Sequence, residues 1–395
     1  MTVVDLPTGL RTHGRRSAGF GSDDAKAPRV AIRAWGAFTP FGTLDETWDA
    51  LLAGRFLRDH ARVDSEGGSD EPRAIRLARR AVARIDASRL DPGAAVVVGT
   101  SKGTVESWMR GARGTDAVCP SPEGLSDVAA ALGSRFALRG PRLTVSAACA
   151  SGLHALVRGA MLIQSGEARQ ALIVATEASV HPLFLGSFRR LGVLARPGVG
   201  CRPFDQHREG FVMSEAAAAV LLEAEGPNAE SPRLANRGAV EAPPVYLDRF
   251  ALGADATHLT GGDPEARVLR HLLSRVIDDR PVDLFHAHGT GTESNDPTEL
   301  AAIESNLCDG PDRPSLYSHK AALGHSLGAA GLLSVVLNCQ SHATGVVPPN
   351  VQTRDPLPTS RVTISREPVP RPVRRSVGVA AGFGGAMAAL SLVCR

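Results

Sequence analysis

A chain of 395 residues can bury a large core, arranged as two domains or as one large duplicated unit. With 44 Lys and Arg against 41 Asp and Glu, and only 4% aromatic residues, it lacks the basic surface and stacking rings of a nucleic-acid binder. No apolar run approaches the roughly 18–20 residues that span a bilayer, and no apolar signal core opens the chain, so a cytoplasmic location away from membranes is expected.

Residues 1–28, rich in Gly, Ser, Arg and Asp without periodicity, are expected to be a disordered tail. From Arg29 onward, short apolar strands alternate with amphipathic helices. Val30-Ala31-Ile32 reads as a strand and residues 47–52 as a helix. Residues 94–98 form a buried strand, followed by the loop Gly99-Thr100-Ser101-Lys102-Gly103. Residues 171–175 and 217–222 are further strands, giving an α/β pattern with strands covered on both faces. Residues 223–232, rich in Pro, Asn and Glu, are the predicted internal boundary, dividing 29–229 from 230–395.

Within the first half, Cys149 is the most informative residue. An extended stretch, Pro141-Arg142-Leu143-Thr144-Val145, leads to Ala147-Ala148-Cys149-Ala150-Ser151-Gly152, and an apolar helix follows through Leu153, Leu156, Val157, Met161 and Ile163. A sulfur at such a strand-to-helix turn faces the free N–H groups of a helix start, and the dipole there is expected to favour thiolate. A buried structural cysteine is the alternative. The six cysteines are scattered, with no CxxC pair, which argues against a zinc site or a disulfide framework. Lysine is rare: Lys26 falls in the tail, so Lys102 and Lys320 are the two to explain.

The second half carries three polar segments. They are His286-Ala287-His288-Gly289-Thr290-Gly291-Thr292 after a strand, Ser318-His319-Lys320 through His325 opening into a helix over 327–337, and the turn Gly382-Phe383-Gly384-Gly385. His286 and His288 are expected to point apart rather than share a metal ion. The segment 381–386 echoes 147–152: both follow an apolar strand and are expected to turn into an apolar helix, with Cys149 and Phe383 in matching positions. The echo predicts two similar halves about a pseudo-two-fold.

These motifs, with Gly36-Ala37-Phe38-Thr39-Pro40-Phe41-Gly42, Arg202-Pro203-Phe204-Asp205 and Gly210-Phe211-Val212-Met213-Ser214-Glu215, give residues 29–395 a resemblance to the β-ketoacyl-acyl-carrier-protein synthases. Within the thiolase superfamily, the chain is most similar to the synthase II group and its polyketide relatives. The resemblance implies a thiolase fold, with two similar halves in an αβαβα layering, the first bearing the nucleophile and the second the two histidines. It implies that Cys149 takes an acyl group from a carrier-protein thioester and that a malonyl thioester then loses carbon dioxide. His288 and His325 correspond to donors for the resulting enolate oxygen. The backbone N–H groups of Cys149 and Phe383 correspond to an oxyanion hole, each donor worth roughly 3–4 kcal/mol. Lys320 corresponds to an ordering charge, Thr290 and Thr292 to hydroxyls for the phosphopantetheine arm, and Phe383 with Gly384 to a gate beside the substrate. No bound cofactor is implied, since the arm arrives on the acyl carrier protein. Arg189 and Arg190 are candidates for docking an acidic carrier.

Four departures from the family pattern stand out. Ser334 occupies the place of an acidic residue in reach of Lys320, leaving that lysine in need of another partner. Ser214 and Ala216 replace glycines beside Glu215. The segment between Arg55 and Ala94 is short. Lys102 stands where fatty-acid synthases tend to carry an apolar side chain beside the acyl tunnel, which favours specialised polyketide or polyene synthesis over housekeeping fatty-acid elongation. A non-catalytic chain-length-setting subunit is disfavoured by the presence of Cys149, His288 and His325 together. An active subunit that forms a homodimer, or a heterodimer with a chain-length-factor-like paralogue, remains open. A simple acyltransferase or thioesterase would not need two histidines.

Overall fold

In the computed structural model the described residues are 27–63, 71–112, 122–226, 244–308 and 312–394. The expected tail up to residue 26, the boundary segment from 227 onward and Cys119 lie outside them.

In chain order the first half comprises β1 (Arg29–Thr39), β2 (Gly42–Thr43), α1 (Leu44–Leu52), α2 (Arg73–Val82), β3 (Ala95–Gly99), α3 (Val105–Ala112), α4 (Asp127–Arg135), β4 (Arg142–Val145), α5 (Ser151–Gln164), β5 (Gln170–Glu177), α6 (Pro182–Arg190) and β6 (Ala216–Glu225). The second comprises β7 (Val245–Ala254), α7 (Arg267–Val276), β8 (Leu284–His286), α8 (Asn295–Ser305), β9 (Ser315–Tyr317), α9 (Lys320–Leu323), α10 (Ala330–Thr344), β10 (Val346–Val347), β11 (Val369–Pro370), β12 (Arg375–Ala381) and β13 (Ala386–Cys394). α1 starts earlier than periodicity alone indicates, because Thr43 and Glu46 form a capping box, the Thr43 N–H donating to Glu46 Oε2 at 2.8 Å.

The main sheet runs β4-β3-β5-β6-β1-β7-β13-β12-β8-β9, with β2 paired to β1. Its two ends repeat one plan. β1, β6 and β5 pair antiparallel and β5, β3 and β4 parallel; β7, β13 and β12 pair antiparallel and β12, β8 and β9 parallel. Where the plans meet, β1 and β7 join antiparallel through residues 30–32.

Helices sort into layers by what they bury. α5 and α10 are apolar nearly all round and pack on each other between the two half-sheets. Gly152 lets them approach: a Cβ there would stand 2.6 Å from the Leu332 backbone nitrogen. α2 and α4 cover the outer face of the first half-sheet, and α7 and α8 that of the second. This is the αβαβα layering of the thiolase fold.

The repeat corrects the echo expected from sequence. By position in the plan, the Cys149 turn between β4 and α5 matches the β9-to-α10 segment that carries Lys320 and His325. Residues 381–386 instead form the tight connection from β12 into strand β13, not into a helix. Small residues serve both turns, but β13 is buried without a break over residues 388–392 and pairs on both sides, so its apolar character belongs to a central strand covered on both faces.

Candidate active site

Cys149 sits in the turn between β4 and α5. Ala148 adopts φ 48°, a left-handed conformation uncommon for a residue with a Cβ, which turns the chain sharply before the helix. Ser151 braces the turn: its Oγ donates to the Ala148 carbonyl at 2.6 Å and accepts from the Ala147 N–H at 2.9 Å. The β12–β13 turn presses against it, with a Cβ on Gly382 standing 2.7 Å from the Ala147 carbonyl oxygen and 3.1 Å from the Cys149 nitrogen. That approach brings the Phe383 N–H onto the Cys149 sulfur.

The thiolate expectation is corrected here. Cys149 is 7% exposed, and burial pushes its thiol up to about 11. The Lys320 and Lys102 charges and the Phe383 N–H pull the other way without overcoming burial. At rest the group is a thiol.

His288 and His325 face each other with ring centroids 5.6 Å apart at an interplanar angle of 83°. Both are buried, and burial reinforced by the Lys320 charge holds both well below the usual histidine range, so both are neutral. His325 packs edge-on against Phe211 at 5.0 Å, and its Nδ1 has no hydrogen-bond partner among the described residues. Cys149, His288, His325, Phe383, Thr290 and Thr292 line one cavity of about 450 Å³. The two threonine hydroxyls lie 2.9 Å apart. Lys320, Lys102 and Gly384 are outside that lining.

Lys320 is buried, and among the described residues no carboxylate comes within ion-pairing distance of it. Its Nζ donates to the His288 carbonyl, while Ser334 turns inward and donates to the Gly331 carbonyl of its own helix at 2.6 Å. Burial holds the ammonium below its usual range, and Glu299 is the strongest opposing charge. Lys102 is half-buried, with its Nζ 5.4 Å from the centroid of the Phe184 ring. Phe184 packs against the apolar cluster that contains Cys149. Arg189 and Arg190 are exposed at the end of α6.

Sequence reasoning missed two carboxylates on α8. Glu299 accepts from the His288 N–H at 2.6 Å and from the Gly289 N–H at 2.8 Å. Asp296 accepts from the Thr290 N–H at 3.1 Å and from the Phe204 N–H at 2.7 Å. Together they hold the loop that carries His288, Thr290 and Thr292. The available signal was Asn295-Asp296-x-x-Glu299, two acids one helical turn apart just after the glycine-rich run. His286 does point away from His288, because β8 ends at His286 and the chain turns. It meets Asn338 and His319 instead.

A thiol, two neutral imidazoles and a backbone donor converging on one cavity of a thiolase fold define the condensing-enzyme class. Residues 73–227 match the family model for the β-ketoacyl synthase N-terminal domain, and residues 251–354 match that for its C-terminal domain. The chain is 31% identical over 333 residues to 3-oxoacyl-acyl-carrier-protein synthase 2 of Mycobacterium leprae, covering 78% of this chain and 75% of that one. It is 33% identical to putative polyketide beta-ketoacyl synthase 1 of Streptomyces cyaneus, over 68% of this chain and 64% of that one. Among solved structures, the ishigamide ketosynthase/chain length factor matches with a TM-score of 0.76 at 26% identity, over 94% of this chain and 100% of that one. A type II polyketide acyl-carrier protein in complex with its ketosynthase matches in fold, with a TM-score of 0.78 at 22% identity over 94% and 100%. The chain belongs to the β-ketoacyl synthase family. It is an acyltransferase of the ketosynthase kind, extending acyl chains by Claisen condensation.

Proposed function

We propose that this protein joins an acyl group held on Cys149 to a malonyl unit carried by an acyl carrier protein, in specialised polyketide or polyene synthesis. The observation that carries the reading is the meeting of the Cys149 sulfur, the Phe383 N–H and the two neutral rings of His288 and His325 in one cavity. In the first half-reaction the thiol gives its proton to a neutral imidazole and attacks the carrier thioester. A new carbon–sulfur bond forms, and the carrier leaves as its free thiol. In the second, the malonyl carbon–carboxylate bond breaks and carbon dioxide departs. The bonding pair becomes an enolate whose oxygen receives hydrogen bonds from His288 and His325. Neutral rings suit this role, since each offers one N–H without a charge that would trap the enolate. The carbanion then attacks the acyl carbonyl, whose developing oxyanion is held by the Cys149 and Phe383 N–H groups, and the sulfur is expelled.

Lys320 orders the His288 segment through its carbonyl. Thr290 and Thr292 receive the phosphopantetheine arm, and Phe383 with Gly384 gates it. In this reading the protein uses no bound cofactor of its own, since the arm arrives on the carrier, and it works in the cytoplasm. The division into halves that goes with this reading is 29–229, bearing the nucleophile, and 230–395, bearing the two histidines. Pairing with a second copy or a chain-length-factor-like paralogue is supported by β4, which ends the sheet with one edge unpaired among the described residues.

Acyl- and malonyl-loaded carrier proteins, with and without a neighbouring synthase-like subunit, test the reading by intact mass. The expected products are an acyl adduct on Cys149 and an extended chain, with Cys149→Ala losing the adduct while retaining decarboxylation. Absence of both activities under every pairing refutes it. Lys102, outside the cavity lining but stacked on Phe184 of the apolar cluster around Cys149, supports specialised over housekeeping chemistry only if the acyl chain extends along that cluster, where a cation beside a saturated tail is unfavourable. Lys102→Ile is expected to shift the chain-length profile toward longer unfunctionalised acyl groups, and an unchanged profile counts against any role of Lys102 in chain selection.

A further inference from the structure

Three buried polar side chains lie next to the cavity without lining it: His286, His319 and Asn338, each no more than 1% exposed. They form a chain. His286 Nδ1 is 2.7 Å from Asn338 Oδ1, and His286 Nε2 is 2.9 Å from His319 Nδ1. The proton positions follow from the partners. Asn338 presents its oxygen, so His286 Nδ1 carries the hydrogen. Burial holds the His286 ring neutral, which leaves its Nε2 as an acceptor. His319 Nδ1 must therefore donate to it, and the His319 backbone N–H also points at that nitrogen, at 3.5 Å.

The chain bears directly on the cavity pair. His286 ends β8, two residues before His288. His319 caps the N-terminus of α9, and its carbonyl accepts from the Ala322 and Leu323 N–H groups at 3.0 and 2.8 Å. α9 then ends at Gly324, with φ 66°, and delivers His325. Each cavity histidine is thus one short segment away from a histidine of the buried pair, and Asn338 anchors that pair to the central helix α10. Lys320 lies between them, its ammonium on the His288 carbonyl and with no contacting carboxylate among the described residues.

We propose that His286, His319 and Asn338 are positioning residues for the decarboxylation half-reaction: a neutral hydrogen-bonded strut that sets the spacing of His288 and His325 and holds the Lys320 turn where an ion pair is absent. The assignment rests on the reading above, in which those two rings receive the enolate. It does not involve the Cys149 turn, which is braced separately by Ser151.

The test separates the two half-reactions. His319→Ala is expected to lower malonyl-carrier decarboxylation by about 10- to 100-fold, the size of effect expected when a reacting group is displaced by about 1 Å. Acylation of Cys149 by an acyl-loaded carrier, read by intact mass, needs one ring as a proton acceptor but not both as fixed donors, so it should fall at least several-fold less than decarboxylation. His319→Gln, whose side-chain amide can still donate to His286 Nε2, should recover most of the lost rate. Asn338→Ser shortens the far end of the chain and carries the same test if His319→Ala does not fold. Equal loss of both half-reactions, or no loss of decarboxylation, overturns the proposal. Wild-type protein inert in both half-reactions would instead overturn the condensing-enzyme reading.

Discussion

The Cys149 turn and the His319–His325 segment occupy the same station in the two halves, each leading from a parallel edge strand into a central apolar helix. They solve different problems there. The first is made of small residues and is held by local contacts, Ser151 with Ala147 and Ala148, so that backbone N–H groups crowd the sulfur. The second is polar and buried, held by groups distant in sequence: His286 on the neighbouring strand, itself bonded to Asn338 of the central helix, and the His288 carbonyl, which accepts from Lys320. One plan therefore supports a nucleophile where side chains are nearly absent and an electrophilic pair where they are dense. Backbone donors need close approach, whereas imidazole donors need fixed tautomers.

Breaking the denser side should have the larger effect. Glu299→Ala leaves the His288 and Gly289 N–H groups buried without acceptors and removes the strongest charge opposing burial of Lys320. An unmet buried donor costs about 1–3 kcal/mol, so a loss of about 2–5 kcal/mol in stability is expected by chemical denaturation. A fall of about 100-fold in decarboxylation should accompany it. A fall in acylation of the same size would mean that the two sites are not separately braced.

The nucleophile side is sharpened by pH. With its thiol pushed up to about 11, free Cys149 should be alkylated by iodoacetamide at a rate that keeps rising through pH 9 and 10, about tenfold per unit. A plateau near pH 7 would indicate a thiolate already formed, and so a helix-dipole effect larger than burial.

The smallest effect concerns stability. Burial raises Glu299 from 4.5 to about 7 in the folded protein. Its contribution is fully present below pH 4.5 and is lost as pH rises through about 7, because the folded state binds the proton more tightly than the unfolded chain. Asp296, Glu177 and Glu215 are raised too, and add to the same slope. Denaturation midpoints measured from pH 5 to pH 8 should fall less steeply in Glu299→Gln than in wild type. Parallel slopes would show that Glu299 keeps an ordinary pKa.

Much of the site was legible because its residues stand at element ends marked by apolar runs and glycines. Cys149 before an apolar helix, His288 after a strand and the turn at Phe383 all carry that signature, and the structure brings them to one cavity. The thiolate was misjudged because a helix start can be recognised from sequence, but the depth at which it is buried cannot. Lys320 was recognisable, but its support was not. The expected carboxylate position holds Ser334, and the ammonium is met instead by the His288 backbone carbonyl, a contact that no linear pattern displays.

By itself the sequence determined the alternation of strands and helices and the kinds of group available for chemistry. These follow from periodicity and local turn preferences, which act between near neighbours. Tertiary structure alone decided the protonation of the thiol and of the imidazoles, the partner of Lys320 and which turn matches which across the repeat. Those depend on burial and on hydrogen bonds between residues far apart in the chain, 52 positions from His286 to Asn338 for one, which exist only once the two half-sheets close on their central helices.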